Sequence, residues 1–172
     1  SPQIVFEDAA HLPDLGTNLA QAAFYNTGQL CVAKTRLLVH ETIKDEILAA
    51  ITDATKKIFT LGNPLDERTT FGPMASQKQF GRVKEYLHLG QKEGARLHQL
   101  ATADSAASSQ NTQGYFMQPA LFDQVDNRMR LAQEEIFGPV LSVISFNTEE
   151  EAIQLANDTP YGLAATAWTQ DL

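Results

Sequence analysis

The chain contains one cysteine, Cys31, and its thiol is the side chain best suited to act as a nucleophile. Cys31 closes the run N-T-G-Q-L-C over residues 26–31, directly after a glycine-containing turn at the predicted end of a helix. That position favours an exposed thiol, and the thiolate is its reactive form. An isolated cysteine is more often a small buried hydrophobic residue, so the residue type alone leaves both interpretations open.

A thiolate is a nucleophile that can add to an electrophilic carbonyl carbon, and this addition turns the carbonyl oxygen into an oxyanion. Gly28 lets the turn expose the backbone N–H of Cys31, a candidate donor to the developing oxyanion.

A second run that could do chemistry, E-E-I-F-G-P-V, covers residues 134–140, about a hundred residues after Cys31. A carboxylate such as Glu135 can accept hydrogen bonds from two vicinal hydroxyl groups. Gly138-Pro139 predicts a tight turn that would aim Glu135 and Phe137. From residue types alone, an acidic pair is more often a solvated helix end, and a phenylalanine is more often core.

The two runs together resemble the aldehyde dehydrogenase superfamily, in its catalytic, cysteine-bearing domain. The resemblance covers essentially the whole chain, because further short motifs occur in the order typical of the family. These are G-P at 72–73, G-A at 94–95, G-Y-F at 114–116, Y-G-L-A-A at 161–165 and W-T-Q-D at 168–171.

The resemblance implies a role for each candidate residue. Cys31 matches the nucleophile: its sulfur adds to an aldehyde to give a thiohemiacetal, which loses hydride to a nicotinamide and leaves a thioester that water cleaves to a carboxylic acid. Glu135 matches the residue that holds the nicotinamide ribose hydroxyls, and Phe137 matches the residue that packs near the nicotinamide ring. Glu134 is expected to be structural. Gln79 matches a residue that touches the cofactor ribose, although its place at the start of a predicted helix fits a capping role equally well.

The resemblance also implies an NAD or NADP cofactor, a small-molecule aldehyde substrate, and a cytoplasmic enzyme that forms homo-oligomers at full length. In the family, a general-base Glu in an E-L-G-G run and a glycine-rich dinucleotide-binding segment precede the matching start, and this chain has no G-x-G-x-x-G run. We therefore expect residues 1–172 to be a partial catalytic domain without the cofactor-binding domain and C-terminal tail. We expect the isolated chain to have little or no dehydrogenase activity.

Two alternatives stay open at this stage. The same thioester chemistry would serve a CoA-acylating dehydrogenase, a thioesterase or an esterase, since the residues do not distinguish water from CoA as the acyl acceptor. A non-catalytic binding or assembly module could also keep this fold, and its cysteine would then show no enhanced reactivity.

Composition argues against several other classes of function. A net charge of −8 disfavours nucleic acid and anionic membranes as partners. No run of about 18 apolar residues predicts a membrane span. The single cysteine excludes an intrachain disulfide and a cysteine-based zinc site, and the four scattered histidines have no metal-ligand spacing, so we predict no metal site.

Alternating strand and helix patterns predict one α/β domain with three layers, a mainly parallel sheet flanked by helices. Helix starts are predicted from capping signals at Thr42, Ser76 and Thr148. Residues 101–113 are interpreted as a mobile surface loop. Predicted strands cover residues 3–6, 35–39, 96–100, 115–125 (broken at Pro119), 140–146 and 163–169; predicted helices cover 15–26, 42–58, 76–94 and 148–157.

Overall fold

The computed structural model describes residues 1–103 and 114–171, which contain one six-stranded sheet. The strand order is β3-β4-β5-β2-β1-β6, and neighbours run parallel except for the antiparallel pair β3–β4. The predicted, mainly parallel sheet is therefore confirmed. The strands are β1 (Pro2–Val5), β2 (Arg36–His40), β3 (Arg96–Gln99), β4 (Ala120–Asp123), β5 (Val140–Phe146) and β6 (Thr166–Trp168).

Helices cover both faces of the sheet, which confirms the three-layer architecture. They are α1 (Leu15–Phe24), α2 (Lys44–Ile58), α3 (Gln77–Glu93), α4 (Arg130–Gln133) and α5 (Glu149–Asn157). The core under α1 and α2 includes Leu37 and Val39 of β2, whereas Leu38 belongs to the core under α3, α4 and α5. Successive side chains of a strand point to opposite faces, so β2 is apolar along most of its length because both of its faces are buried.

The two segments that carry the candidate residues reach the same edge of the sheet. Cys31 lies in the connection from α1 to β2, and residues 134–139 lead into β5. β2 and β5 are neighbours in the sheet, with Arg36 opposite Ser142. Because these strands are parallel, both segments precede the amino-terminal ends of adjacent strands, and the topology brings them together.

Two of the three predicted helix caps are confirmed. The Ser76 hydroxyl accepts a hydrogen bond from the backbone N–H of Gln79 at 3.2 Å and caps α3. The Thr148 hydroxyl accepts one from Glu151 N–H at 3.2 Å and caps α5.

The predicted cap at Thr42 is wrong. A 3₁₀ turn at Glu41–Ile43 precedes α2, which begins at Lys44 with no side-chain cap. The Thr42 hydroxyl instead donates to Glu7 Oε1 at 2.9 Å, so it makes a contact distant in sequence rather than a local cap.

The predicted strands and helices otherwise match the observed elements, with ends displaced by a few residues. Most of the predicted loop at 101–113 lies outside the described residues. None of the helices in residues 1–103 and 114–171 combines the length and apolar composition that a membrane crossing needs. Over the same ranges, no three side chains of His, Cys, Asp or Glu are grouped as metal ligands.

Helices α1 and α2 are expected to tolerate no side chain at their closest contact. A Cβ added at Gly16 would lie 2.7 Å from the backbone oxygen of Ala50, so Gly16→Ala should lower the free energy of unfolding by about 1–3 kcal/mol. Gly81→Ala in α3 is the matched control, because a Cβ there meets nothing within 4 Å. Helix propensity should make that variant up to about 1 kcal/mol more stable. Urea unfolding measures both, and shifts of the same sign would contradict the backbone contact.

Candidate active site

The turn that precedes Cys31 has an uncommon backbone. After α1, a 3₁₀ turn at Tyr25–Gly28 places Asn26, Thr27 and Gly28 at φ of 51°, 58° and 66°. The Asn26 side chain supports this left-handed stretch by donating from Nδ2 to the Gln29 carbonyl oxygen at 3.3 Å. The turn leaves Cys31 exposed, as the sequence predicts.

Two hydrogen bonds fasten this turn to the segment that leads into α3. The Thr27 hydroxyl donates to the Gly72 carbonyl oxygen at 3.1 Å. Gln29 Oε1 accepts from the backbone N–H of Ala75 at 2.9 Å. The backbone that carries the exposed thiol is therefore held by the segment at residues 72–75, which limits the positions that the sulfur can take.

The Cys31 turn also touches the loop at residues 134–138, here called the 134–138 loop. A Cβ added at Gly28 would lie 2.3 Å from the Gly138 carbonyl oxygen, and one at Gly138 would lie 2.4 Å from Val83 Cγ2. Neither position can accept a side chain without moving its neighbour. Gly28 thus allows the Cys31 turn to approach the backbone of Gly138, and Gly138 allows the 134–138 loop to approach Val83 of α3.

A cleft of about 170 Å³ opens beside this contact, and Cys31, Glu135 and Phe137 all line it. Phe137 has a φ of 59° and is 39% exposed, which is a costly conformation and a costly exposure for a large side chain. Among the described residues, the Glu135 carboxylate has no hydrogen-bond partner, so it is available to a ligand. The structure therefore brings three of the four predicted site residues together.

The fourth, Gln79, lies outside the residues that line this cleft. Its Nε2 donates to the carbonyl oxygens of Ile136 and Phe137, both at 2.8 Å. Gln79 is thus attached to the backbone of the 134–138 loop, while its own backbone N–H takes part in the Ser76 cap.

Glu134 has a structural environment, as expected from the sequence. Arg130 donates to its carboxylate from Nε and Nη2 at 2.6 and 3.0 Å, and the Tyr86 hydroxyl donates a short hydrogen bond to it. These donors, Arg130 foremost, hold the pKa of Glu134 at about 2. Burial, followed by the hydrogen bond to Glu134, raises the pKa of Tyr86. Arg130 and Tyr86 carry no distinctive sequence signal, and their roles depend on the tertiary fold.

The cleft has a buried cation in its wall. Arg36 lines the cleft and is 5% exposed. Its guanidinium donates to Asn127 Oδ1 at 2.8 Å and to the carbonyl oxygens of Leu155 and Ala156 at 3.0 and 2.7 Å. Burial lowers the pKa of Arg36 and Asp158 opposes this shift. Placed at the last carbonyls of α5, the charge complements that end of the helix, so its primary role is structural.

Fold and cleft together define an α/β domain that presents one exposed cysteine to a loop carrying a free carboxylate and a half-exposed aromatic ring. The chain belongs to the aldehyde dehydrogenase family, whose sequence model matches residues 1–172.

Curated relatives agree with this assignment. A betaine aldehyde dehydrogenase of Bacillus subtilis is 41% identical over 175 aligned positions, which cover 100% of this chain and 34% of that protein. A putative aldehyde dehydrogenase of Staphylococcus saprophyticus is 42% identical, over 99% of this chain and 35% of the relative. The chain thus spans about one third of the length of the curated relatives that it matches.

Solved structures lead to the same family. An indole-3-acetaldehyde dehydrogenase complexed with NAD+ superposes with a TM-score of 0.90 and 46% identity, over 100% of this chain and 34% of that one. A betaine aldehyde dehydrogenase of Staphylococcus aureus, also in complex with NAD+, gives 0.87 and 38% identity, over 99% and 33% of the respective chains.

The change in the free energy of unfolding between neutral and acidic pH should depend on Glu134. Its pKa falls from 4.5 to about 2 on folding, so it contributes stability above pH 4.5 that is lost as the pH falls towards 2. Glu134→Gln should therefore be less stable than wild type at neutral pH, with the two curves converging in acid.

Urea unfolding of both proteins from pH 7 to pH 2 measures this difference. The contributions of the other carboxylates cancel in the comparison, because those groups titrate in both proteins. Arg130→Met should reproduce most of the effect, since Arg130 is the main cause of the shift. Parallel stability curves for wild type and Glu134→Gln would contradict the prediction.

Proposed function

We propose that residues 1–172 form the thiol-bearing catalytic part of an enzyme that oxidises an aldehyde to a carboxylic acid with NAD or NADP. The single observation that carries this proposal is the shared cleft, which Cys31, Glu135 and Phe137 all line. Membership of the aldehyde dehydrogenase family supports the same reaction.

Cys31 acts as the nucleophile in the proposed reaction. Its sulfur forms a bond to the aldehyde carbon, and the carbonyl oxygen becomes an oxyanion beside the exposed backbone of the turn. When the oxyanion collapses, the C–H bond breaks, the hydrogen leaves with both electrons as hydride, for which the oxidised cofactor would be the acceptor, and the carbon keeps its bond to sulfur as a thioester. Water then adds to the thioester, the C–S bond breaks, and the acid and the free thiol are released.

Glu135 and Phe137 are the residues of this chain that would hold the nicotinamide end of the cofactor, which supplies the hydride acceptor when bound. The carboxylate of Glu135 lines the cleft without a hydrogen-bond partner among the described residues, which suits a pair of ribose hydroxyls. The ring of Phe137 offers an apolar face to a planar group. Relatives solved with NAD+ support the choice of cofactor.

Further contacts to the cofactor would come from outside residues 1–172. The cleft of about 170 Å³ contains the residues proposed for the nicotinamide end, Glu135 and Phe137, together with Cys31. Tyr161 and Leu163, at the rim of the cleft, are 51% and 62% exposed, which is costly unless another surface covers them. We propose that a cofactor-binding domain of the same polypeptide supplies that cover and that the complete protein is a homo-oligomer.

The free thiol has to remain reduced for this chemistry. A reducing compartment, the cytoplasm, is therefore the proposed location.

Substitution of Cys31 and Glu135 tests the proposed function directly. In the complete enzyme, Cys31→Ser should abolish aldehyde-dependent NADH or NADPH formation, because a serine hydroxyl at neutral pH is a far weaker nucleophile than a thiolate. Glu135→Gln should raise the KM for the cofactor about tenfold, since a charged acceptor of hydroxyl groups is lost. Steady-state kinetics with a series of aldehydes measures both.

Glu67→Gln serves as the control, because Glu67 is exposed and distant from the residues that line the cleft. Its kinetics should match those of wild type. Retention of dehydrogenase activity by Cys31→Ser would overturn the proposal.

A further inference from the structure

We propose that Gln79 and Arg82 of α3 are positioning residues that clamp the backbone of the 134–138 loop and so hold Glu135 and Phe137 in place for the cofactor. This inference rests on the proposed function for the roles of Glu135 and Phe137. The clamp itself is a property of the described contacts.

The clamp takes up three consecutive carbonyl groups. Arg82 Nη2 donates to the Glu135 carbonyl oxygen at 2.7 Å. Gln79 Nε2 donates to the next two carbonyl oxygens, those of Ile136 and Phe137, both at 2.8 Å. Backbone groups in a loop are otherwise satisfied by solvent or by turns, so three in a row held by one helix fix the course of the loop.

The spacing of the donors explains why one helix can do this. The intervals between residues 79, 82, 86 and 93 are three, four and seven positions, so these residues share one face of α3. From that face, Tyr86 donates to Glu134, and Glu93 accepts from the backbone N–H groups of Arg130 and Leu131 at 3.0 and 3.3 Å. A polar stripe on α3 thus follows the segment from residue 130 to residue 137.

The conformation of Phe137 shows what the clamp has to maintain. A phenylalanine at a φ of 59° is unfavourable and persists only where its surroundings determine it. The next residue, Gly138, touches both Gly28 and Val83, so the loop has no room to relax on that side. The Gln79 amide holds the Phe137 carbonyl from the other side.

The donor count separates this role from a direct contact with the cofactor. A glutamine amide has two N–H groups, and both are directed to loop carbonyls here. The Arg82 guanidinium lies 5.1 Å from the centre of the Tyr86 ring while it donates to the loop. The two Gln79 N–H groups and Arg82 Nη2 are therefore engaged before any ligand arrives.

Two measurements on the complete enzyme test the clamp: the KM for the cofactor, and hydrogen–deuterium exchange of the amides at residues 135–138. Gln79→Ala and Arg82→Met should each raise the KM about tenfold, because each removes loop hydrogen bonds. Both should also accelerate exchange in the loop without cofactor present. The rate of Cys31 alkylation should stay unchanged, because Thr27 and Gln29 hold the thiol through separate bonds.

Matched controls lie on the same helix. Gln91→Ala and Lys78→Met remove a glutamine and a basic side chain from exposed positions of α3 and should change neither readout. Arg82→Lys keeps one donor and should restore part of the cofactor affinity, even if Arg82→Met folds poorly.

Gln79→Glu gives a readout that a merely structural residue would not move. A carboxylate there would face two carbonyl oxygens and repel them, whereas the protonated acid can donate to one. The KM of Gln79→Glu for the cofactor should therefore fall towards the wild-type value as the pH is lowered, and that of Gln79→Ala should not.

Faster loop exchange in Gln79→Ala and Arg82→Met, with unchanged Cys31 alkylation, would establish the clamp. A raised KM with unchanged loop exchange would overturn it in favour of direct cofactor contact. Unchanged exchange and unchanged KM would overturn it as well. Failure of the proposed function would look different, as an absence of cofactor reduction in wild type, while loop exchange would still report on the clamp.

Discussion

The close approach of Gly28 to Gly138 is the constraint on which the rest of the site depends. A Cβ at Gly28 would lie 2.3 Å from the Gly138 carbonyl oxygen, so the two loops meet this closely only because Gly28 lacks a side chain. This contact joins the turn that presents the thiol to the loop that presents Glu135 and Phe137. The sheet makes the meeting possible by placing β2 and β5 side by side and parallel, with both loops at one edge.

Helix α3 then acts as a common support for both loops. The segment before it accepts one hydrogen bond from Thr27 and donates one to Gln29, and the first turns of α3 hold the 134–138 loop through Gln79 and Arg82. Reactive groups need to be held within fractions of an ångström, and loops do this poorly unless a regular element anchors them. Here α3 anchors the cofactor residues and the segment that leads into it anchors the turn of the nucleophile, which constrains their relative position.

The sequence was informative where local pattern and chemistry coincide. Strand alternation predicted β5, capping signals predicted the starts of α3 and α5, and the exposed position of Cys31 followed from its turn. The Thr42 cap failed because Thr42 lies within a 3₁₀ turn that precedes α2, and its hydroxyl donates to Glu7, 35 residues away. Arg82, Tyr86 and Arg130 were missed for a related reason: ordinary charged and aromatic helix residues acquire their roles only through contacts with the 134–138 loop.

The central claim is that Cys31 carries the substrate through a covalent thioester. Mass spectrometry of the Cys31 peptide, after acid quench of the complete enzyme during turnover of an aldehyde with NAD+, tests it most directly. The account predicts an acyl group on Cys31 that hydroxylamine removes and that Cys31→Ala does not form. Carboxylic acid production at the wild-type rate by Cys31→Ala, or turnover with no acyl group on Cys31 under quench conditions that preserve thioesters, would contradict it.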